Sequence, residues 1–260
     1  MGILDRLFAA RPPRFDGSAG RPPSGNGASS FHLGWKIGAG PWDEVSAELC
    51  VTVPPSVARL HFWALQVGFD GPRGSSGGGA HLGLQWYPPH PGSTAANWGG
   101  YAPEGGELSG GPLAVVSATN NLNTGDFPWR PGRWYRLTVR RGDSDPGGGL
   151  VAWAGVIADV DTGEEVVLRE LYTRGVALSG PMVWSEVFAD CDSPGSEVRW
   201  RHLRATAGGS QLTATRVGVN YQRVAEGGCT TTDSAVEGSE LVQRTGVTRR
   251  TPQGSTLAIV

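Results

Sequence analysis

From Phe31 onward the apolar and polar positions alternate with a period of two. In EVSAELCVTV, Val45, Ala47, Leu49, Val51 and Val53 fall on one face while Ser46, Glu48, Cys50 and Thr52 fall on the other, as a half-buried strand requires. Pro54 and Pro55 end it. The next run, ARLHFWALQVGF, is nearly all apolar and fits a central strand covered on both sides. Further strands are predicted at His81 to Tyr87, GPLAVVSATNN, RWYRLTVRR, VAWAGVIADV, EEVVLREL, PMVWSEVFAD and EVRWRHLRAT. In RWYRLTVRR, Tyr135, Leu137 and Val139 point inward against Trp134, Arg136, Thr138 and Arg140. Asp161, Thr162 and Gly163 supply turn chemistry for a hairpin.

Roughly nine or ten short strands with no crossover helices predict an all-β fold, an antiparallel two-sheet β-sandwich or jelly roll, over residues 31–207. Residues 1–30 read as a flexible N-terminal segment. Ile3, Leu4, Leu7 and Phe8 have helical spacing at a length that favours a frayed terminus, and the Pro, Gly and Ser run from Arg11 to Ser30 is a tether. Residues 208–260, rich in Thr, Ser and Gly, read as a C-terminal extension with one or two strands in QLTATRVGVNYQRV.

Composition narrows the function classes. With 22 basic against 24 acidic side chains in 260 residues, no global field draws in a polyanion, so nucleic acid is not an expected partner. No window approaches the ~20 apolar residues of a transmembrane span. Asp5 and Arg6 interrupt the apolar N-terminus, so no secretory signal is legible and the chain reads as cytoplasmic; a mis-assigned start would make it extracellular. Cys50, Cys191 and Cys229 cannot all pair. Cys50 reads as a small buried side chain, and a bridge between the other two is one option. Nothing points to a cofactor: the glycines of RGSSGGGAH precede a strand and not a helix, so they form no phosphate cradle.

The succession HFWALQVGF, AHLGLQW, FPWRPGRWYRLTVRR, VAWAGVIADVDTGEE and VWSEVFAD resembles a bacterial domain family of unknown function, common in actinobacteria, with a concanavalin A-like jelly roll. The resemblance spans about residues 31–207, and PWRPGRWYRLTV is its most specific piece. It implies the fold and sugar-related surroundings, and it carries no catalytic set.

Candidate chemistry gathers on PMVWSEVFAD. If Val183, Ser185, Val187 and Ala189 form the core face, then Trp184, Glu186, Phe188 and Asp190 project together from the other face, which in such a jelly roll is the concave one. Sugars stack on aromatic rings and bond to carboxylates and amides, so carbohydrate is the expected ligand class, with Gln85 joining the site if it shares that face. The competing structural reading packs Trp184 and Phe188 under a loop. Hydrolase or lyase chemistry would need Glu186 with a second carboxyl, Asp190 or Glu104, within the ~5–10 Å that glycosidases use. Asp190, Asp192 and Glu197, like Asn120, Asn121, Asn123 and Asp126, are oxygen-rich turns whose simpler role is to cap their own backbone, so no metal site is assigned. His32, His61, His81, His90 and His202 are dispersed and read as structural or solvated. The expectation is a lectin-like module without catalysis. The alternatives are a glycan-active enzyme and an interaction protein recruited through its N-terminal tether.

Overall fold

Alternating strands need a partner to cover their apolar face, and here two sheets cover each other. The computed structural model describes residues 15–38 and 40–259, so the helical spacing at positions 3–8 lies outside the described residues. Sheet A runs in the order β16 (Thr256–Ala258), β13 (Arg216–Tyr221), β1 (Ser29–Trp35), β10 (Ala177–Val187), β3 (His61–Asp70), β4 (Ser76–Trp86), β5 (Thr94–Tyr101) and β6 (Thr124–Asp126). Sheet B runs β14 (Thr232–Glu237), β15 (Glu240–Thr245), β11 (Glu197–Ala207), β2 (Glu44–Val53), β7 (Trp134–Arg141), β8 (Val151–Asp159) and β9 (Glu165–Thr173), with β12 (Ser210–Thr213) paired to β11. All the strand pairs are antiparallel, and the fold is the β-sandwich that the period-two pattern predicts.

The core lies between the sheets. Val45, Ala47, Leu49 and Val51 of β2 are sealed in it, as are Tyr135, Leu137 and Val139 of β7 and Trp63, Leu65, Val67 and Phe69 of β3. Trp98 reaches across from β5 because β8 carries Gly155 there; a Cβ at that position would sit 2.4 Å from Trp98 Cγ. The hairpin between β8 and β9 turns on Gly163, whose φ of 75° is the left-handed region that glycine adopts without strain. Asp159 accepts the amides of Asp161 and Thr162 and caps the same turn.

Two of the departures from the sequence expectation have a visible physical cause. The segment 112–123 keeps an alternating exposure, with Leu113 and Val115 turned toward the core and Val116 out, but it forms no strand. Pro112 lacks a donor, and the segment meets β9 and β6 through single bonds such as Ala114 N to Leu168 O and Asp126 N to Val116 O. Residues 208–260 contribute β12 to β16, in both sheets. Their strands are three to six residues long, too short for alternation to stand out among Thr, Ser and Gly. A disulfide joins Cys191 and Cys229, 5.4 Å apart at Cα, and fastens the end of β10 to the segment before β14. Cys50 is free and buried, and burial pushes its thiol up to about 11. No helix of the described residues is long and apolar enough to cross a membrane.

Candidate functional site

Register across sheet A decides which side chains share its outward face. Opposed residues point the same way, so Ser30, Glu186, Phe62, Gln85 and Ala95 form one rank across β1, β10, β3, β4 and β5. The next rank is His32, Trp184, Ala64, Gly83 and Asn97, and the one beyond is Gly34, Met182, Gln66, His81 and Gly99. Val183, Ser185 and Val187 take the inward face, at 0%, 1% and 6% exposure. Trp184, Glu186 and Gln85 therefore share the face away from the core. With strands ~4.8 Å apart, the Glu186 and Gln85 backbones are separated by ~10 Å, with Phe62 between them.

The middle of this face is closed. Trp184, at 6% exposure, forms a small apolar cluster of its own with Phe62 and Ala64, and Met182 packs against it. Its ring meets Phe62 edge-on at 5.0 Å and His81 edge-on at 5.9 Å, and its Nε1 donates to Gln66 Oε1 at 2.9 Å. A ring with both faces and its N–H already occupied offers no platform to a sugar. The outward direction of Trp184 is as expected, and its availability for stacking is not. Gln85 is likewise buried, at 5% exposure. Burial pushes the Glu186 carboxyl above its ordinary value, only partly opposed by the bond that Asn26 Nδ2 donates to Oε1 at 2.9 Å. Burial lowers His81 to about 4 and also lowers His32, so both imidazoles are neutral at ordinary pH.

The face opens where the ladder ends. Phe188, one residue past β10, still donates its amide to Leu60 O at 3.0 Å and so continues the ranks. Phe188, Leu60 and Tyr87 line a cleft of ≈ 450 Å³, together with Arg21, Arg59 and Pro89. The strap Arg21–Ala28 that borders it is held by Cys191 N donating to Gly20 O and by Asn26 on Glu186. Asp190 does not join the cleft: it is exposed, with its carboxylate 3.8 Å from Arg21 Nε. Glu104 lies past the far end of β5 and lines a different cleft, of ≈ 830 Å³, with Arg73 and Arg174. The rank of Glu186 crosses β5 at Ala95, six residues before Tyr101, so Glu104 is ~20 Å or more away along the sheet. Neither proposed second carboxyl meets Glu186.

Three polar clusters lie elsewhere. Glu48, sealed under the outer face of sheet B, takes Arg136 Nη2 at 3.2 Å, Arg201 Nε at 2.8 Å and His202 Nδ1 at 3.1 Å, a structural knot that joins β7, β2 and β11. The second holds Glu197 between Thr52, Arg199 and Arg244; the Asn-rich turn is a backbone cap, with Asn121 Oδ1 accepting the amides of Asn123 and Thr124. Among the described residues no group of three or more His, Cys, Asp or Glu could hold a metal. The third cluster was invisible to spacing: His90 Nδ1 is 2.5 Å from Asp126 Oδ1, and His90 Nε2 is 3.3 Å from Thr119 Oγ1. The order hydroxyl, imidazole, carboxylate is that of a nucleophilic relay. The His90 side chain is sealed, however, and the amides of Ala118, Asn120 and Asn121 already donate to Asp126 Oδ1, Ser117 O and Ser117 Oγ, leaving them unable to receive an oxyanion. The cluster clamps the 117–126 loop onto the turn at His90.

No family model and no curated protein sequence matches this chain. Solved structures similar to it include Scytalido-glutamic peptidase with a peptide-based transition-state analogue, at 15% identity and a TM-score of 0.46, covering 83% of this chain and 97% of that one. Another is SCP-B, an Eqolisin-family peptidase in complex with the tripeptide Ala-Ile-His, at 15% identity and a TM-score of 0.43 over the same shares. A third is the enzymatically active domain of bacteriophage CBA120 tailspike protein 2, at 17% identity and a TM-score of 0.29, covering 75% of this chain and 25% of that one. The chemistry of the site is read from its own residues.

Proposed function

We propose that the outward face of sheet A binds carbohydrate without transforming it, and that binding occurs at its open end and not at Trp184. The observation that carries this is the cleft of ≈ 450 Å³ where Phe188 and Tyr87, half-buried rings, flank Leu60 beside two arginines. Apolar ring faces stack on the C–H face of a sugar, guanidinium and backbone groups bond its hydroxyls, and the volume falls in the range of small-molecule sites. Catalysis has less support. Glycosidase chemistry uses two carboxyls within ~10 Å, and Glu186 has neither Asp190 nor Glu104 beside it.

The test is a glycan array followed by calorimetry on wild type, Phe188→Ala and Tyr87→Ala. Both rings are only partly buried, so the variants are expected to fold and to lose about tenfold or more in affinity for whichever glycan the wild type retains. A wild type that retains no glycan, or variants that bind as well as it does, would overturn the reading.

A further inference from the structure

We propose that this cleft selects saccharides bearing a negative charge, a carboxylate or sulfate held by Arg59 and Arg21 while the ring lies on Phe188 and Tyr87. The inference rests on the carbohydrate reading of the same site and goes on to name the ligand class.

The chain as a whole is slightly acidic, with a formal net charge of -2, yet among the described residues the charged ones that line the cleft are Arg21 and Arg59. Both are exposed. Arg21 has a loose partner, with Asp190 Oδ1 at 3.8 Å, beyond hydrogen-bonding distance, and both side chains are largely in solvent at 68% and 47% exposure. The guanidinium of Arg59 has no hydrogen bond or ion pair among the described residues; its backbone alone is engaged, through its amide to Val57 O and its carbonyl against His61 Nδ1. Several arginines elsewhere are matched to acids: Arg199 with Glu197, Glu237 and Glu240, Arg244 with Glu197 and Glu237, and Arg133 with Asp159. Arg73, Arg130 and Arg174 also show no side-chain partner among the described residues, but the clefts they line carry acids as well, Glu104 and Glu107 beside Arg73 and Arg174, and Asp126, Asp159 and Glu164 beside Arg130; the cleft at Phe188 differs in having no acid in its described lining.

Apart from Asp190 beside Arg21, the carboxyl that β10 brings to this face is Glu186, and it is not in the described lining of the cleft. Asn26 of the strap donates to Glu186 Oε1 at 2.9 Å, and burial raises the carboxyl above its ordinary value. Guanidinium suits the proposed anion because its planar donors match the two oxygens of a carboxylate or sulfate. The strap fixes the geometry, since Arg21 follows Gly20, which is tied to Cys191 N and to Asp192.

The experiment is calorimetry of the full chain, at low and at moderate salt, with four probes: an oligogalacturonate, the same oligosaccharide as its methyl ester, a sulfated oligosaccharide, and inorganic sulfate. The acidic saccharides are expected to bind about tenfold or more tighter than the ester and to weaken as salt rises. Arg59→Gln is expected to bring them down to the level of the ester with no change in thermal stability. Preference for the carboxylated over the sulfated probe, or the reverse, identifies which anion the fork holds. If the ester binds as well as the acid, charge selection is wrong while the carbohydrate reading stands. If inorganic sulfate binds as tightly as the sulfated sugar, the rings contribute nothing and the proposal fails. If neither saccharide nor sulfate binds, the carbohydrate reading itself falls.

Discussion

Replacing Trp184 with alanine separates a packed ring from a binding platform. The indole lies at 6% exposure, wedged against Phe62, Ala64 and Met182, with its N–H on Gln66. A tryptophan buries about 200 Å², and at ~25 cal/mol per Å² this gives an upper figure of ~5 kcal/mol. A denatured chain already hides part of that area, which lowers the figure to ~3–4 kcal/mol, and the lost hydrogen bond adds ~1 kcal/mol. The sum agrees with the ~3–5 kcal/mol usual for a large aromatic truncated in a core. At ~2–4 °C per kcal/mol for a chain of this length, Trp184→Ala should lower Tm by ~8–20 °C. Trp184→Phe, which keeps most of the packing and loses the bond to Gln66, should lose ~1–2 kcal/mol. Urea unfolding monitored by circular dichroism measures both. A loss below ~0.5 kcal/mol for the alanine variant is what an exposed platform would give, and it would refute the packing argument.

Two further predictions concern titration. The Glu48 carboxyl is pushed up by burial but pulled down further by the bonds from Arg201, His202 and Arg136, leaving it below its ordinary value. Its contribution is thus complete above the unfolded value of ~4.3 and is lost as pH falls through the lower folded value. The stability gap between wild type and Glu48→Gln, ~1–3 kcal/mol at pH 7, should shrink as acid unfolding is followed toward pH 3, and a gap independent of pH would contradict it. His61 and His81 are both held to about 4 by burial, so the unfolded chain takes up protons below ~6.5 that the folded chain refuses. Stability should be full above ~6.5 and erode toward pH 4, and the two ring resonances should not titrate between pH 8 and 5.5 by NMR; a midpoint near 6.5 for either ring would show that it is solvated.

Strand direction was legible because a residue's face depends on the parity of its position and on a covered neighbour two residues away. This is why Val183, Ser185 and Val187 point inward, and why Glu186, Trp184 and Gln85 share the opposite face across three strands. Contacts set by register were not legible. Thr119, His90 and Asp126 meet only because β5, β6 and two turns bring positions 90, 119 and 126 together, and nothing in their spacing announces it. The expected strands in QLTATRVGVNYQRV are β12 and β13, whereas those after it were not legible for a different reason: a three-residue strand such as Thr256–Ala258 is held by its neighbour β13 and has no pattern of its own.

The same logic explains why the proposed binding surface lies at Phe188 and not at Trp184. Alternation along 183–190 gives the face of each side chain but says nothing about what stands beside it. Trp184 sits in mid-ladder, with His32 on one flank and Ala64 on the other, and the neighbouring ranks add Phe62 and His81. With His32, Phe62 and His81 around it, a large ring is closed over. Phe188 is one residue beyond the last paired position, opposite Leu60, which precedes β3. Beyond that edge no further rank exists to cover it, and the chain turns away through the disulfide at Cys191. A ring on this face is therefore available to a ligand in proportion to how near it lies to the end of its ladder. By that criterion Phe188 and Tyr87, which follows β4 directly, keep aromatic surface that the protein has not already used, as Tyr101 does at the far end of β5, and the proposed sugar site is the cleft that Phe188 and Tyr87 share.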